Sequence, residues 1–205
     1  PDLALAVIMV RTARGIAPLP EEELRPYASR GAPGLLGKAM GIGRDDPAFL
    51  ALRTEFLDNY AAHMTDRSRP FEGVPVMLEA LRAAGIRTGV VTNKVEHLAL
   101  RLTDNLGLDG QLDVVLGSDS EGCAMKPAPD SLLTAARLTG VPVTDILYAG
   151  DDPRDVAAAH AAGMPCAACT WGYAVTPPES WGADLVAHSP AELATWAVQL
   201  NAHAL

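Results

Sequence analysis

From Phe71 onward one pattern recurs: a stretch with helical spacing of apolar residues, a glycine, then a short apolar run. Val74 to Ala84 stops at Gly85 before Ile86 to Thr92, and Val95 to Leu106 stops at Gly107 before Leu112 to Leu116. Asp130 to Thr139 stops at Gly140 before Ile146 to Ala149, and Pro153 to Ala162 stops at Gly163 before Pro165 to Thr170. A glycine just past the last helical residue supplies the left-handed turn that each helix-to-strand junction needs. Runs that stay apolar without alternation suit strands covered on both faces, and helices alternating with such strands predict a doubly wound parallel sheet. The expected fold class is therefore α/β with a Rossmann-like core, closed by a strand at Asp184 to Ala187 and a helix from Pro190 to Leu200.

Residues 1–70 follow another rule. Asp2 is expected to cap a helix through Leu3, Leu5, Val7, Ile8 and Val10, and Pro20-Glu21-Glu22-Glu23 starts a second with acids in its first turn. A third helix is expected from Ala32-Pro33 to Gly41. A fourth runs from Asp46-Pro47 through Phe49, Leu50, Leu52, Phe56, Leu57 and Tyr60 at helical spacing. The expected organisation is an all-helical unit over 1–70, with Thr65 to Pro70 as a linker, and an α/β core over 71–205.

A net charge of −9 argues against nucleic acid or an anionic membrane as partner, and no apolar run approaches the roughly 18 residues of a membrane span. A small-molecule partner and a cytoplasmic location are the expectations; oligomeric state is not legible. Cys123, Cys166 and Cys169 are too few for a disulfide framework. Cys166-x-x-Cys169 stands inside an apparent strand without a second ligand pair, and the five histidines form no set at ligand spacing.

The polar residues that could carry chemistry gather where strands end. In Gly150-Asp151-Asp152-Pro153-Arg154-Asp155, Asp152 can cap the next helix, Pro153 suits its first position, and Asp155 falls at N3. In open α/β sheets ligands bind at the C-terminal strand edge, and hard carboxylate oxygens clustered there suit Mg²⁺. The plainer reading is a helix cap alone. Thr92 ends another strand, where its hydroxyl could donate to a phosphate oxygen beside the Asn93 backbone or could start a helix at Lys94. Lys126 stands in a loop stiffened by Pro127 and Pro129.

At these residues the chain resembles the haloacid dehalogenase superfamily of phosphohydrolases. Val90-Val91-Thr92-Asn93, Lys126-Pro127 and Gly150-Asp151-Asp152-Pro153-Arg154-Asp155 are similar to its second, third and fourth motifs, in that order. Residues 1–70 resemble its helical cap domain. Pro1-Asp2-Leu3 and Ser29-Arg30-Gly31-Ala32-Pro33 resemble phosphoglycolate phosphatases, while Thr92-Asn93-Lys94, Trp171-Gly172-Tyr173 and Trp181-Gly182-Ala183-Asp184 are similar to N-acetylmuramic acid 6-phosphate phosphatases.

The resemblance implies Mg²⁺-dependent hydrolysis of a small phosphorylated metabolite through an aspartyl-phosphate. Asp151 and Asp155 would serve the metal, with Asp152 a weaker candidate and Asp155 alternatively holding Lys126. Thr92, Asn93 and Lys126 would bind the phosphoryl oxygens, and Arg30 the leaving group. The superfamily's first motif, a strand ending in Asp-x-Asp, has no counterpart in this sequence. The opening at Pro1 reads as a processed or truncated start, with the nucleophile upstream, the core lacking its first strand, and the 205-residue chain inactive by itself and poorly folded. A non-catalytic scaffold that lost its nucleophile and a different activity on the same fold are the alternatives.

Overall fold

The computed structural model describes residues 1–203 and divides into two compact units, Pro1–Arg69 and the chain from Pro70 onward. The first unit is helical: α1 (Asp2–Thr12), α2 (Glu21–Leu24) running into a 3₁₀ segment at Arg25–Arg30, α3 (Gly31–Met40) and α4 (Phe49–His63). Its core joins one stripe of each helix, with Val7, Val10, Leu24, Leu35, Leu36 and Phe56 almost wholly enclosed. Asp2 does not cap α1 as expected. It is the first helical residue, fully buried, and its carboxylate accepts the backbone N–H groups of Arg67 (3.1 Å) and Ser68 (2.7 Å). Burial opposes its charge, yet the bonds from Ser68 and Arg67 outweigh this and hold the carboxyl below its ordinary value. A residue that reads locally as a cap thus fastens the segment that reads as a linker.

Among the described residues the second unit holds five short parallel strands, β1 (Gly89–Val91), β2 (Val114–Leu116), β3 (Tyr148–Gly150), β4 (Cys166–Cys169) and β5 (Leu185–Ala187). Helices α5 (Val74–Ala83), α6 (Glu96–Asn105), α7 (Asp130–Thr139), α8 (Pro153–Ala162) and α9 (Pro190–His203) alternate with them. The helical boundaries follow the glycine punctuation closely; α9 runs three residues past the expected Leu200. The strands are shorter than their apolar runs. Ile86 to Thr88 precedes any ladder, and Ile146 closes a 3₁₀ turn at Val143–Asp145, so pairing begins only at Gly89 and Tyr148.

Side chains alternate across the sheet as period two requires. Cys166 and Ala168 join Leu132, Val156, Ala158 and Ala159 of α7 and α8 on one face, while Ala167 and Cys169 meet Met77 of α5 and Leu193 of α9 on the other. Helices therefore cover both faces, the doubly wound arrangement. Among the described residues the sheet is nevertheless in two parts, β1 beside β2 and β3-β4-β5 in that order. β4, flanked on both sides, is buried throughout, whereas β1 and β3 are only partly covered. No helix among the described residues is long and apolar enough to cross a membrane.

Candidate active site

The facing edges of β1 and β3 gather the polar residues. The Thr92 N–H bonds Leu116 O of β2 at 3.0 Å, so backbone alternation turns the preceding Val91 carbonyl the other way, off the ladder. Two side chains meet that carbonyl: Lys126 Nζ donates to it at 2.9 Å and the Tyr148 hydroxyl lies 3.2 Å from it. Lys126 Nζ also lies 2.6 Å from Tyr148 Oη and 2.7 Å from Asp155 Oδ1, and the side chains of Lys126 and Asp155 are only 10% and 9% exposed. The three ammonium protons are thus matched to three acceptors, as a lysine this enclosed requires.

Each neighbour is fixed in turn. The Lys126–Pro127 peptide is cis, and the Asn93 amide clamps the Lys126 backbone, accepting its N–H at 2.8 Å and donating to its carbonyl at 3.1 Å. Thr92 Oγ1 accepts the Lys94 N–H at 3.2 Å, and the helix itself starts only at Glu96, whose N–H goes to Asp119 Oδ1 at 2.7 Å. Thr92 is therefore a turn residue at the strand tip and not the cap of α6.

Asp152 caps α8 and Asp155 stands at N3, as expected, and the two complete a capping box. Asp155 Oδ2 accepts the N–H groups of Asp151 (3.2 Å) and Asp152 (3.1 Å), and its Oδ1 takes the lysine, so this carboxylate ties helix, strand end and Lys126 together. Asp152 is turned to Arg154 in a two-pronged pair, Nε to Oδ1 at 2.8 Å and Nη2 to Oδ2 at 2.7 Å. Burial opposes its charge, but the Arg154 contacts prevail and keep the carboxyl below its ordinary value. Asp151 is positioned separately, with Oδ2 accepting the Tyr173 N–H at 2.6 Å.

Two glycines allow this approach. A Cβ on Gly150 would sit 2.3 Å from Asp155 Cβ, and one on Gly172 would sit 2.2 Å from Asp151 Oδ2. Sequence reasoning missed Tyr148, Gly172 and Tyr173 as site residues; the Trp171-Gly172-Tyr173 segment was the visible signal for the last two. Burial first, then the Asp155 charge, pushes the Tyr148 phenol well above its ordinary value, so it stays a neutral hydrogen-bond partner. Arg30 lies in the helical unit, exposed at the end of its 3₁₀ segment, its guanidinium carbon 5.6 Å from the centre of the Tyr27 ring.

The donor set suits a hard cation. Asp151 brings carboxylate oxygen to the C-terminal edge of β3, and burial and then the charges of Asp151 and Asp155 push the Cys169 thiol up to about 12. Burial also pulls the Lys94 ammonium down to about 8 from 10.5. Between these values the unfolded chain binds more protons than the folded one, so stability should rise with pH from about 8 to 10.5, by about 3 kcal/mol over the whole span. Urea unfolding across that window should show the rise, and Lys94→Met should flatten it.

Comparison with known proteins places the chain in a family. Residues 2–163 match the family of haloacid dehalogenase-like hydrolases. The chain is similar to the phosphoglycolate phosphatase of Xylella fastidiosa, 41% identical over 192 residues that span 93% of this chain and 83% of that protein. It is also similar to the N-acetylmuramic acid 6-phosphate phosphatase of Pseudomonas aeruginosa, 36% identical over 196 residues covering 94% and 86% of the two. The crystal structure of a predicted phosphoglycolate phosphatase from Haemophilus somnus superposes with a TM-score of 0.84 at 25% identity, over 96% of this chain and 90% of that one. With residues 2–163 matching this family and relatives alike along nearly the whole length, the chain belongs to the haloacid dehalogenase-like hydrolase family.

Proposed function

We propose that the site formed by Thr92, Lys126 and Asp151 serves Mg²⁺-dependent hydrolysis of a small phosphomonoester, with 2-phosphoglycolate as the substrate. The observation that carries this is the enclosed Lys126 ammonium, held by Asp155, Tyr148 and Val91 at the strand edge that also bears Asp151. A lysine so held offers a fixed positive charge to a phosphoryl group, which in an acidic protein needs its charge offset on approach. Thr92 would add a hydroxyl donor, and the Asn93 clamp keeps the Lys126 backbone in register with Thr92. Asp151 would hold the metal directly; Asp155, with both oxygens engaged, acts through Lys126 and the α8 N-terminus. When bound, Mg²⁺ neutralises charge between carboxylate and ester and helps orient the phosphoryl group.

The open edges of β1 and β3 bear on the remaining part. An added strand between them would present N–H groups to the Val91 carbonyl and release Lys126 and Tyr148 from it, leaving one ammonium proton for a phosphoryl oxygen. We assign the attacking aspartate to such a strand, because no Asp-x-Asp pair occurs in the sequence. The 36% identity to an N-acetylmuramic acid 6-phosphate phosphatase favours a phosphorylated amino sugar as the second reading.

The test is a panel of phosphomonoesters with Mg²⁺, using protein from the whole reading frame. Either 2-phosphoglycolate or N-acetylmuramic acid 6-phosphate is expected to exceed p-nitrophenyl phosphate in kcat/KM by roughly tenfold or more. If neither is turned over faster than p-nitrophenyl phosphate, both substrate assignments fail.

A further inference from the structure

We propose that His160, Cys166 and Asp184 form a second metal site, one for a borderline divalent cation of the zinc class. These residues come from three consecutive pieces of the fold. His160 is in the last turn of α8, Cys166 opens β4 after the Gly163 turn, and Asp184 directly precedes Leu185, the β5 residue paired with Ala167. Parallel winding brings all three to the N-terminal edge of the sheet, whereas Asp151 and Lys126 belong to the opposite, C-terminal edge.

Their ligand atoms converge on one point. Cys166 Sγ lies 3.3 Å from His160 Nε2 and 3.3 Å from Asp184 Oδ2, and those two atoms are 3.8 Å apart. Bonds of about 2.0–2.3 Å around a tetrahedral centre place neighbouring ligand atoms about 3.3–3.7 Å apart, so an ion enters this triangle with little movement. The same geometry disfavours a nucleophilic relay. A cysteine-histidine-aspartate relay sets thiol and carboxylate on opposite ring nitrogens, and here both face Nε2.

Exposure is graded in the way a loadable site needs. Cys166 is buried, 1% exposed, and forms the fixed floor, while the side chains of His160 and Asp184 are 47% and 56% exposed and line the mouth. The Asp184 carboxylate is already oriented, since its Oδ2 accepts the Cys166 N–H at 2.9 Å. Three protein ligands leave a fourth position toward solvent for water. Thiolate and imidazole together select Zn²⁺, Co²⁺ or Ni²⁺ over Mg²⁺ and Ca²⁺. On binding, the metal replaces the thiol proton, which leaves to bulk water, and the ion joins α8, β4 and the approach to β5.

The probe is Co²⁺, titrated into the protein under a non-thiol reductant. A thiolate-to-cobalt charge-transfer absorption is expected to saturate at one equivalent and to vanish when Zn²⁺ is added. It should be lost in Cys166→Ala and weakened at least about tenfold in affinity by His160→Gln and by Asp184→Asn. It should persist in Cys123→Ala, Cys169→Ala and Asp151→Asn, which separates it from the other thiols and from the active site. His160 and Asp184 are surface residues, so their variants will fold. Absence of a thiolate band, its survival in Cys166→Ala, or a band unchanged by either His160→Gln or Asp184→Asn would show that the cluster is only a hydrogen-bonded pin between strands. None of these readouts depends on phosphatase activity.

Discussion

Replacing Lys126 with alanine is expected to lower kcat/KM for a phosphomonoester by about 10²–10³, with most of the loss in kcat. Removing one preorganised group that stabilises transition-state charge typically has an effect of that order. The prediction has a second half, because the lysine also neutralises Asp155. Asp155 is buried and would retain the Tyr148 hydroxyl at 3.4 Å and two backbone N–H groups while losing the ion pair with Lys126 Nζ at 2.7 Å. Deleting one partner of an enclosed ion pair typically destabilises by about 3–5 kcal/mol. The variant should therefore unfold at lower urea as well, and its activity has to be read well below that midpoint. Lys126→Ala with Asp155→Asn should recover stability without recovering kcat. Recovery of both would assign Lys126 a structural role only.

Asp151→Asn should reduce activity at low millimolar Mg²⁺ by a thousandfold or more, since a metal's charge stabilisation amounts to several kcal/mol and each 1.4 kcal/mol is about tenfold. The fold should change little. An amide can be oriented with its oxygen toward the Tyr173 N–H that now meets Asp151 Oδ2 at 2.6 Å, and it fits under Gly172 as the carboxylate does. The measurement is activity against Mg²⁺ concentration. The variant's curve should shift to much higher metal, showing weakened binding; a curve with unchanged midpoint and unchanged maximum would remove Asp151 from the metal site.

What the sequence disclosed and what it withheld divide along a physical line. The cap at Asp152 with Asp155 at N3, the helix ends at Gly140 and Gly163 and the two-faced sheet depend on bonds within a few residues or on burial pattern, and these were legible. Strand lengths depend on where a partner strand begins, so Ile86 to Thr88 and Ile146 to Leu147 were read as strand and lie outside the ladders. Tyr148 looked like any apolar strand residue, because its hydroxyl acquires meaning only where the Val91 carbonyl and Lys126 approach it. Asp2 was misread for the same reason, its partners being 65 and 66 residues away. His160 and Cys166 sit six residues apart across a helix-to-strand turn, a spacing of no regular element, and Asp184 follows 18 residues later. No local pattern joins those three.

The most direct measurement is a crystal structure of the protein from the whole reading frame with Mg²⁺ and an orthophosphate mimic of the transferring group. The anion is expected within about 3 Å of Lys126 Nζ and Thr92 Oγ1, with the ion on Asp151, an added strand between β1 and β3, and the Val91 carbonyl bonded to that strand. An anion bound elsewhere, with Lys126 still holding Val91, Tyr148 and Asp155 and no metal at Asp151, would contradict the assignment of this strand edge as the active site.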